Sequence, residues 1–333
     1  MKHLVLLISI FYINSSKAQL SDFAHIDFTK ADNTAKLQQG ADLKNLGLLA
    51  HQLTANLSTD VEKFRAIYFW VCHNINGDSN QHTKVDRKRK KMHGDSAAYS
   101  MWNEEYKKIA FKKLLKHKKT MCTGYAYLIK ELCFLANIEC KIIDGYGRTV
   151  NSNVEELEMT NHSWNAVNLN GKWYLCDATW SSGYTMGYTF VKDYNDGYFL
   201  TDPILFAKNH FPVDQQWVLT DTVSREDFTS SPIVYGETFQ HQIQSVTPSN
   251  LNTSIKKEED LNFSFKSPKE ITNNNISLVY FTSSQEQTLK IYDLKNQNGY
   301  ISFKTNFNHK GIYDAHLKIG KDIVATYTIE VTR

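Results

Sequence analysis

Two stretches of the chain carry apolar residues at the spacing of a half-buried helix. Phe64–Cys72 (FRAIYFWVC) follows Ser58-Thr59-Asp60-Val61-Glu62, which predicts a helix with Ser58, Thr59 or Asp60 as its N-cap. Cys122–Ala136 places Tyr125, Leu128, Ile129, Leu132 and Leu135 on one side, with Thr120 as the candidate cap. Three short runs follow, Lys141–Tyr146, His162–Leu169 and Lys172–Asp177, and they alternate or are continuously apolar. Asn170-Gly171 between the last two is the dipeptide of a two-residue hairpin turn. A helix followed by at least three strands is therefore expected, two of them an antiparallel pair. Tyr198–Trp217 is aromatic and irregular and is expected to wrap back over the sheet. Beyond about Ser231, prolines 232, 248 and 268 punctuate a polar region in which Ser277–Thr282, Tyr300–Thr305 and Ile323–Val331 read as short alternating strands. That pattern predicts an antiparallel sandwich, and an α+β fold class for the part before it.

Composition adds the scale. A chain of 333 residues that is 41% hydrophobic has the material for a core and the length for two domains, here 19–230 and 231–333. Only five prolines among abundant aromatics exclude a collagen-like or disordered chain. Residues 1–18 have the order of a secretory signal peptide: Lys2 and His3, then the apolar Leu4–Ile13, then Ser16-Lys17-Ala18 before a cut at Gln19. The apolar part is too short to span a bilayer, which takes about 20 residues. The mature protein is thus expected to be periplasmic or secreted and not membrane-spanning.

The net charge of +3 points to no nucleic acid partner. Within it, Lys84–Lys119 holds thirteen Lys or Arg against four Asp or Glu, a local +9. This block is expected to be a solvated insertion loop, with a binding patch for anionic polymer or lipid of the cell envelope as the competing reading. Five cysteines, at 72, 122, 133, 140 and 176, leave one thiol over if the other four pair. Four can pair in three ways, or all five can stay as small buried thiols.

Candidate chemistry centres on three positions. Cys122 falls at the start of a predicted helix, where free backbone N–H groups and the helix dipole favour an anion. His162 opens a predicted strand and Asp177 closes the next one. With a two-residue turn at Asn170-Gly171, facing residues sum to 341, so His162 would face Thr179 and Asp177 would face Trp164. The two side chains then share a face as diagonal neighbours about 7 Å apart. Nucleophile, base and orienting carboxylate are all supplied. Other signals fall short. Asp193–Gly197 reads as a turn rather than a calcium loop, and His73, His82, His93 and His117 lack ligand spacing, so neither a metal site nor a cofactor is expected. Trp164, Trp173 and Trp180 could border the cleft, with core packing as the default reading, and the Asn161-His162-Ser163 sequon is read as unmodified.

Cys122-Thr123-Gly124-Tyr125-Ala126, His162-Ser163-Trp164-Asn165 and Asp177-Ala178-Thr179-Trp180 resemble the transglutaminase-like superfamily, specifically its bacterial kyphoscoliosis peptidase-like branch. The likeness runs over roughly Val61–Trp217 and includes Tyr198–Pro203 and His210-Phe211-Pro212. It implies a papain-like α+β core with Cys122 as nucleophile, His162 as general base and acid, and Asp177 orienting the imidazole, followed by an Ig-like sandwich. One departure is visible: Asn74-Ile75-Asn76-Gly77-Asp78 carries Gly77 where the family has an aromatic, which alters the expected cleft wall. The Cys122 amide is the first candidate oxyanion donor and Asn74 the second. The expected activity is attack of the Cys122 thiolate on a peptide or glutaminyl amide, giving a thioester resolved by water (peptidase or amidase) or by an amine (acyl transfer). Protein or peptide of the cell envelope is the expected partner. The competing expectation is a non-catalytic envelope protein that binds protein or glycan. An open groove reaching Cys122 favours the enzyme; a thiol sealed by aromatics, or locked to Cys176 or Cys72, favours the binder.

Overall fold

The computed structural model describes residues 20–154, 156–157, 159–187, 189–283 and 285–333, so the expected signal peptide lies outside the described residues. Helices α1 (Thr29–Leu37) and α2 (Leu46–Thr54) pack around α3 (Asp60–Asn74), whose cap is Thr59. Thr59 accepts the Glu62 N–H while the Glu62 carboxylate accepts the Thr59 N–H, a reciprocal pair that satisfies two donors at the helix start. Ten of the fifteen α3 residues are buried, so it forms the centre of the helical layer rather than a surface rod.

The basic block corrects the loop expectation. Strands β1 (Asn76–Gly77) and β2 (Lys119–Thr120) pair in parallel, and between them the chain forms two helices, α4 (Ser79–Lys91) and α5 (Ser96–His117). Asp78 and Asp95 cap them by accepting the Gln81 and Ala98 N–H groups. Lys and Arg are themselves good helix formers. Val85, Tyr106 and Ala110 give the hairpin a small core, too sparse to show as a stripe in the sequence.

Helix α6 (Cys122–Leu135) begins two residues beyond the predicted cap. Its N-cap is Met121, with no side-chain bond, while Thr120 is tied into β2. Its buried residues end at Cys133; Leu135 is 42% exposed, against expectation, because it belongs to the last turn as the helix leaves the core. The helix lies on an antiparallel sheet built from β3 (Cys140–Gly147), β4 (His162–Leu169), β5 (Lys172–Cys176) and β8 (His210–Pro212), in the order β5-β4-β3-β8. Asn170 and Gly171 both have positive φ, 54° and 79°, as a two-residue primed turn requires, and Leu169 pairs with Lys172 in the expected register.

That register ends at Asn165 opposite Cys176. Asp177 leaves the strand and caps α7 (Ala178–Ser182), so His162 pairs with Gly145 of β3 and has no partner at Thr179. A hairpin of β6 (Gly183–Met186) and β7 (Thr189–Lys192) follows. The aromatic 198–217 segment supplies α8 (Pro203–Phe206) and then the edge strand β8.

After α9 (Arg225–Ser230), β9 (Ile233–Val234) and α10 (Gly236–His241), nine strands form an all-β region. Strands β10 (Gln244–Thr247), β12 (Leu261–Lys266), β15 (Tyr292–Gln297) and β16 (Tyr300–Thr305) make one sheet, ordered β10-β12-β16-β15. Strands β11 (Asn252–Lys256), β13 (Ile276–Thr282), β14 (Gln285–Leu289), β17 (Gly311–Ile319) and β18 (Asp322–Thr332) make the other, ordered β11-β18-β17-β13-β14. Phe263, Phe303, Leu278, Leu317 and Tyr327 fill the space between them. The pairing is antiparallel except for β11 with β18. β9 joins β18, and Val234 and Phe239 share a core with Trp164, Tyr198 and Phe206, so the linker packs against the β5-β4-β3-β8 sheet. Among the described residues no helix is long and apolar enough to cross a membrane.

Candidate active site

Cys122 is the first residue of α6. The Gly124 and Tyr125 N–H groups bond to the Met121 carbonyl, which leaves the Cys122 and Thr123 N–H groups at a helix end that has no side-chain cap. Asn165, buried three residues into β4 beyond His162, fixes this helix against the sheet: its Nδ2 donates to the Ala126 carbonyl of α6 at 3.0 Å and to the Lys141 carbonyl of β3 at 3.2 Å. One buried amide on β4 therefore joins helix α6 to strand β3.

His162 Nε2 meets Asp177 Oδ2 at 2.7 Å, so Nδ1 is the ring nitrogen not engaged by the carboxylate. The Asp177 carboxylate also accepts the Thr179 N–H through Oδ1 at 2.7 Å, and its own N–H donates to the Tyr198 carbonyl. Tyr68, buried on α3, places its hydroxyl 2.9 Å from the Asp177 carbonyl and 2.6 Å from Ser181 Oγ. The helical layer thus positions the carboxylate from behind.

Electrostatics follow from this packing. Burial alone would lower the His162 pKa, but the charge and hydrogen bond of Asp177, then a hydrogen bond with Cys122, raise it to about 10. Burial pushes the Asp177 carboxyl up, and His162 and His210 outweigh it, so the group is held well below the ordinary carboxylate range. The pair is an imidazolium on a carboxylate at neutral pH.

Sequence reasoning missed His210 as a member of this cluster. Its ring is fully buried on β8, with Nε2 3.2 Å from the same Asp177 Oδ2 and Nδ1 2.7 Å from Asn209 Oδ1. Burial drops its pKa to about 4 against the opposing pull of Asp177, so it is neutral near pH 7. The signal was present in His210-Phe211-Pro212, read above only as part of a resemblance. Donor atoms of His162, Asp177 and His210 all lie within 4.8 Å of one another, the one three-residue grouping among the described residues that could hold a metal ion. The hydrogen bonds to Asp177 already account for its spacing.

The site opens into a cleft of about 670 Å³ that reaches Cys122 and His162. Trp180 forms part of its wall and stacks on the His162 ring, 4.6 Å between centroids at 20°. Trp164 is core, as expected, and Trp173 packs edge-on to Trp217. Gly77 does not leave a gap: a Cβ there would stand 2.3 Å from the Phe190 ring, so β7 supplies the aromatic wall. Asn74 is not the second oxyanion donor. Its Nδ2 donates to the Trp70 carbonyl and its Oδ1 accepts the Gly40 N–H, both away from the cleft, because the side chain turns back to close α3. All five cysteines are free and buried; Cys72 and Cys176 form no bond to Cys122. Asp193–Gly197 is a turn, with Asn195 capping a short 3-10 segment. Asn161 is engaged by both main-chain groups of Gly147.

Residues 48–178 match the family model described as the transglutaminase-like superfamily. The chain is similar to kyphoscoliosis peptidase of Homo sapiens, 34% identical over 218 residues, covering 62% of this chain and 28% of that protein. It is also similar to Hillarin of Drosophila melanogaster, 26% identical over 234 residues, covering 65% of this chain and 26% of that protein. It therefore spans less than a third of these curated relatives. A solved structure of a TGase covers 55% of this chain and 37% of its own at 14% identity, with a TM-score of 0.26.

Proposed function

Because the chain belongs to the transglutaminase-like superfamily, we propose that it is a thiol enzyme that takes an acyl group from a peptide or glutaminyl amide onto Cys122. The observation that carries this reading is the 2.7 Å His162–Asp177 bond in a cleft that reaches a free Cys122. With the imidazole protonated, the sulfur attacks as thiolate. The carbonyl carbon gains the C–S bond, and its oxygen takes negative charge beside the Cys122 N–H. His162 then gives its proton to the departing amine as the C–N bond breaks, leaving a thioester and a neutral imidazole. That imidazole next takes a proton from water or from an amine, whose attack releases the acyl group and restores the thiolate–imidazolium pair.

The reading includes export of the mature chain from Gln19 onward and a protein or peptide of the cell envelope as substrate. An open cleft and an unbridged thiol support the enzyme over a purely binding role. The test is incubation with a casein-like protein and a labelled primary amine, scoring cleavage and amine incorporation together, with Cys122→Ala as control. Neither product from the wild-type protein, or equal product from Cys122→Ala, would overturn the reading.

A further inference from the structure

The helical hairpin carries a second feature that the acyl-transfer site does not use. Lys84, Arg87, Lys88 and Lys91 are spaced three, four and seven residues along α4, so they share one face. With Thr83 and Trp102 they line a separate groove of about 540 Å³. The rim is preorganised: Trp102 stacks on Tyr106 at 5.0 Å, Lys84 Nζ sits 4.7 Å from the Tyr106 ring centre, and Lys88 Nζ 5.6 Å from that of Trp102. Asp86, the acidic residue of α4, pairs with Arg89 and Lys90 instead. Among the described residues none of the four groove cations has a carboxylate in ion-pair range. Thr83 also lines the catalytic cleft, so the groove continues from it.

We propose that this groove docks an acidic stretch of the polypeptide whose amide occupies the cleft, so that the enzyme selects amides close to Asp or Glu clusters. The proposal rests on the acyl-transfer reading and deepens it. Thr83 to Lys91 spans eight helical residues, about 12 Å, which an extended peptide covers in about four residues. Four cations over that length, with no carboxylate partner among the described residues, match a run of carboxylates in charge and in reach. Trp102 is engaged by both Tyr106 and Lys88, which withdraws it as a stacking platform for a nucleic-acid base.

The test uses the full chain carrying Cys122→Ala and fluorescein-labelled peptides with one glutamine. A Glu run lies on either the N-terminal or the C-terminal side, with Gln-for-Glu counterparts, and binding is read by anisotropy at low ionic strength. At least one acidic peptide is expected to bind about tenfold more tightly than its neutral counterpart, an advantage that salt removes. Lys84→Glu with Lys88→Glu should abolish the advantage and leave neutral-peptide binding in place. Lys84→Arg with Lys88→Arg should keep it, and thermal unfolding confirms that both double variants fold. Equal affinity for acidic and neutral peptides, or an advantage that survives the charge reversal, would overturn the proposal. So would reversal-sensitive binding seen only with RNA or anionic vesicles. Iodoacetamide labelling of Cys122 in the wild-type protein is scored separately: no labelling with acidic binding intact sinks the acyl-transfer reading and spares the docking site.

Discussion

His210 and His162 meet on a single oxygen: their Nε2 atoms lie 3.2 Å and 2.7 Å from Asp177 Oδ2. One histidine is charged and the other neutral, because Asp177, and after it Cys122, outweigh burial at His162, whereas burial, with the ring stacked on Phe206 at 3.9 Å, outweighs Asp177 at His210. His210 is therefore a positioning residue that fixes the carboxylate. His210→Phe keeps the ring stack and removes the bond, and should cost about 2 kcal/mol, the usual worth of a hydrogen bond to a charged group. Urea unfolding checks this. In the amine-incorporation assay kcat should fall with KM little changed, since the acyl substrate never touches the ring.

The two histidines also shape stability in opposite directions along the pH axis. The unfolded state protonates His210 below pH 6.5, whereas the fold resists until about 4. Its contribution is complete above 6.5 and is lost as pH falls, by about 3 kcal/mol in all. His162 is raised to about 10, so its contribution is complete below 6.5 and is lost as pH rises through 10. Urea midpoints across the pH range should therefore peak near 6.5. The His210→Phe variant should lose the fall between 6.5 and 4 while keeping the alkaline one; an unchanged acid limb would contradict the assignment.

Catalysis should carry the same signature. Asp177 is the main group that raises His162 against burial, so Asp177→Asn should move the alkaline limb of kcat/KM to lower pH. The rate itself should drop by about 10²- to 10⁴-fold, as when the orienting carboxylate of a triad is made neutral. A pH–rate profile of the variant reads both effects.

The rebuilt cleft wall predicts a coupled pair. Gly77→Tyr forces a side chain into the Phe190 ring and should destabilise the protein by about 1–3 kcal/mol, the usual cost of overpacking. Adding Phe190→Ala should recover much of that. A double-mutant cycle measured by thermal unfolding would show the two positions coupled.

Arg148 ties the end of the sheet to the linker before the sandwich. Its guanidinium, buried and 2% exposed, donates to the carbonyls of Thr229 at 2.9 Å, Ser231 at 2.7 Å and Pro232 at 3.1 Å. Burial lowers its pKa to about 10, and no carboxylate adjoins it among the described residues. Arg148→Met leaves three buried carbonyls without their donor and should cost about 3 kcal/mol. Lysine should not restore it, since a single ammonium cannot reproduce the planar fork. Differential scanning calorimetry of the two variants tests both statements.

What the sequence determined by itself was local. Apolar spacing marked α3 and α6, Asn170-Gly171 set the β4–β5 register, and Cys122, His162 and Asp177 stood out because each sits at the end of such an element. The tertiary structure decided what converges. His210 lies 33 residues beyond Asp177 on an edge strand, and no periodicity links the two. Asp177 meets His162 as a helix cap, not as a cross-strand neighbour, because the chain leaves the ladder after Cys176. Phe190 fills the place that Gly77 vacates, and the Lys/Arg block becomes two helices around three buried residues. Each outcome depends on burial against a distant segment, and such contacts leave no period in the chain from which they could be read.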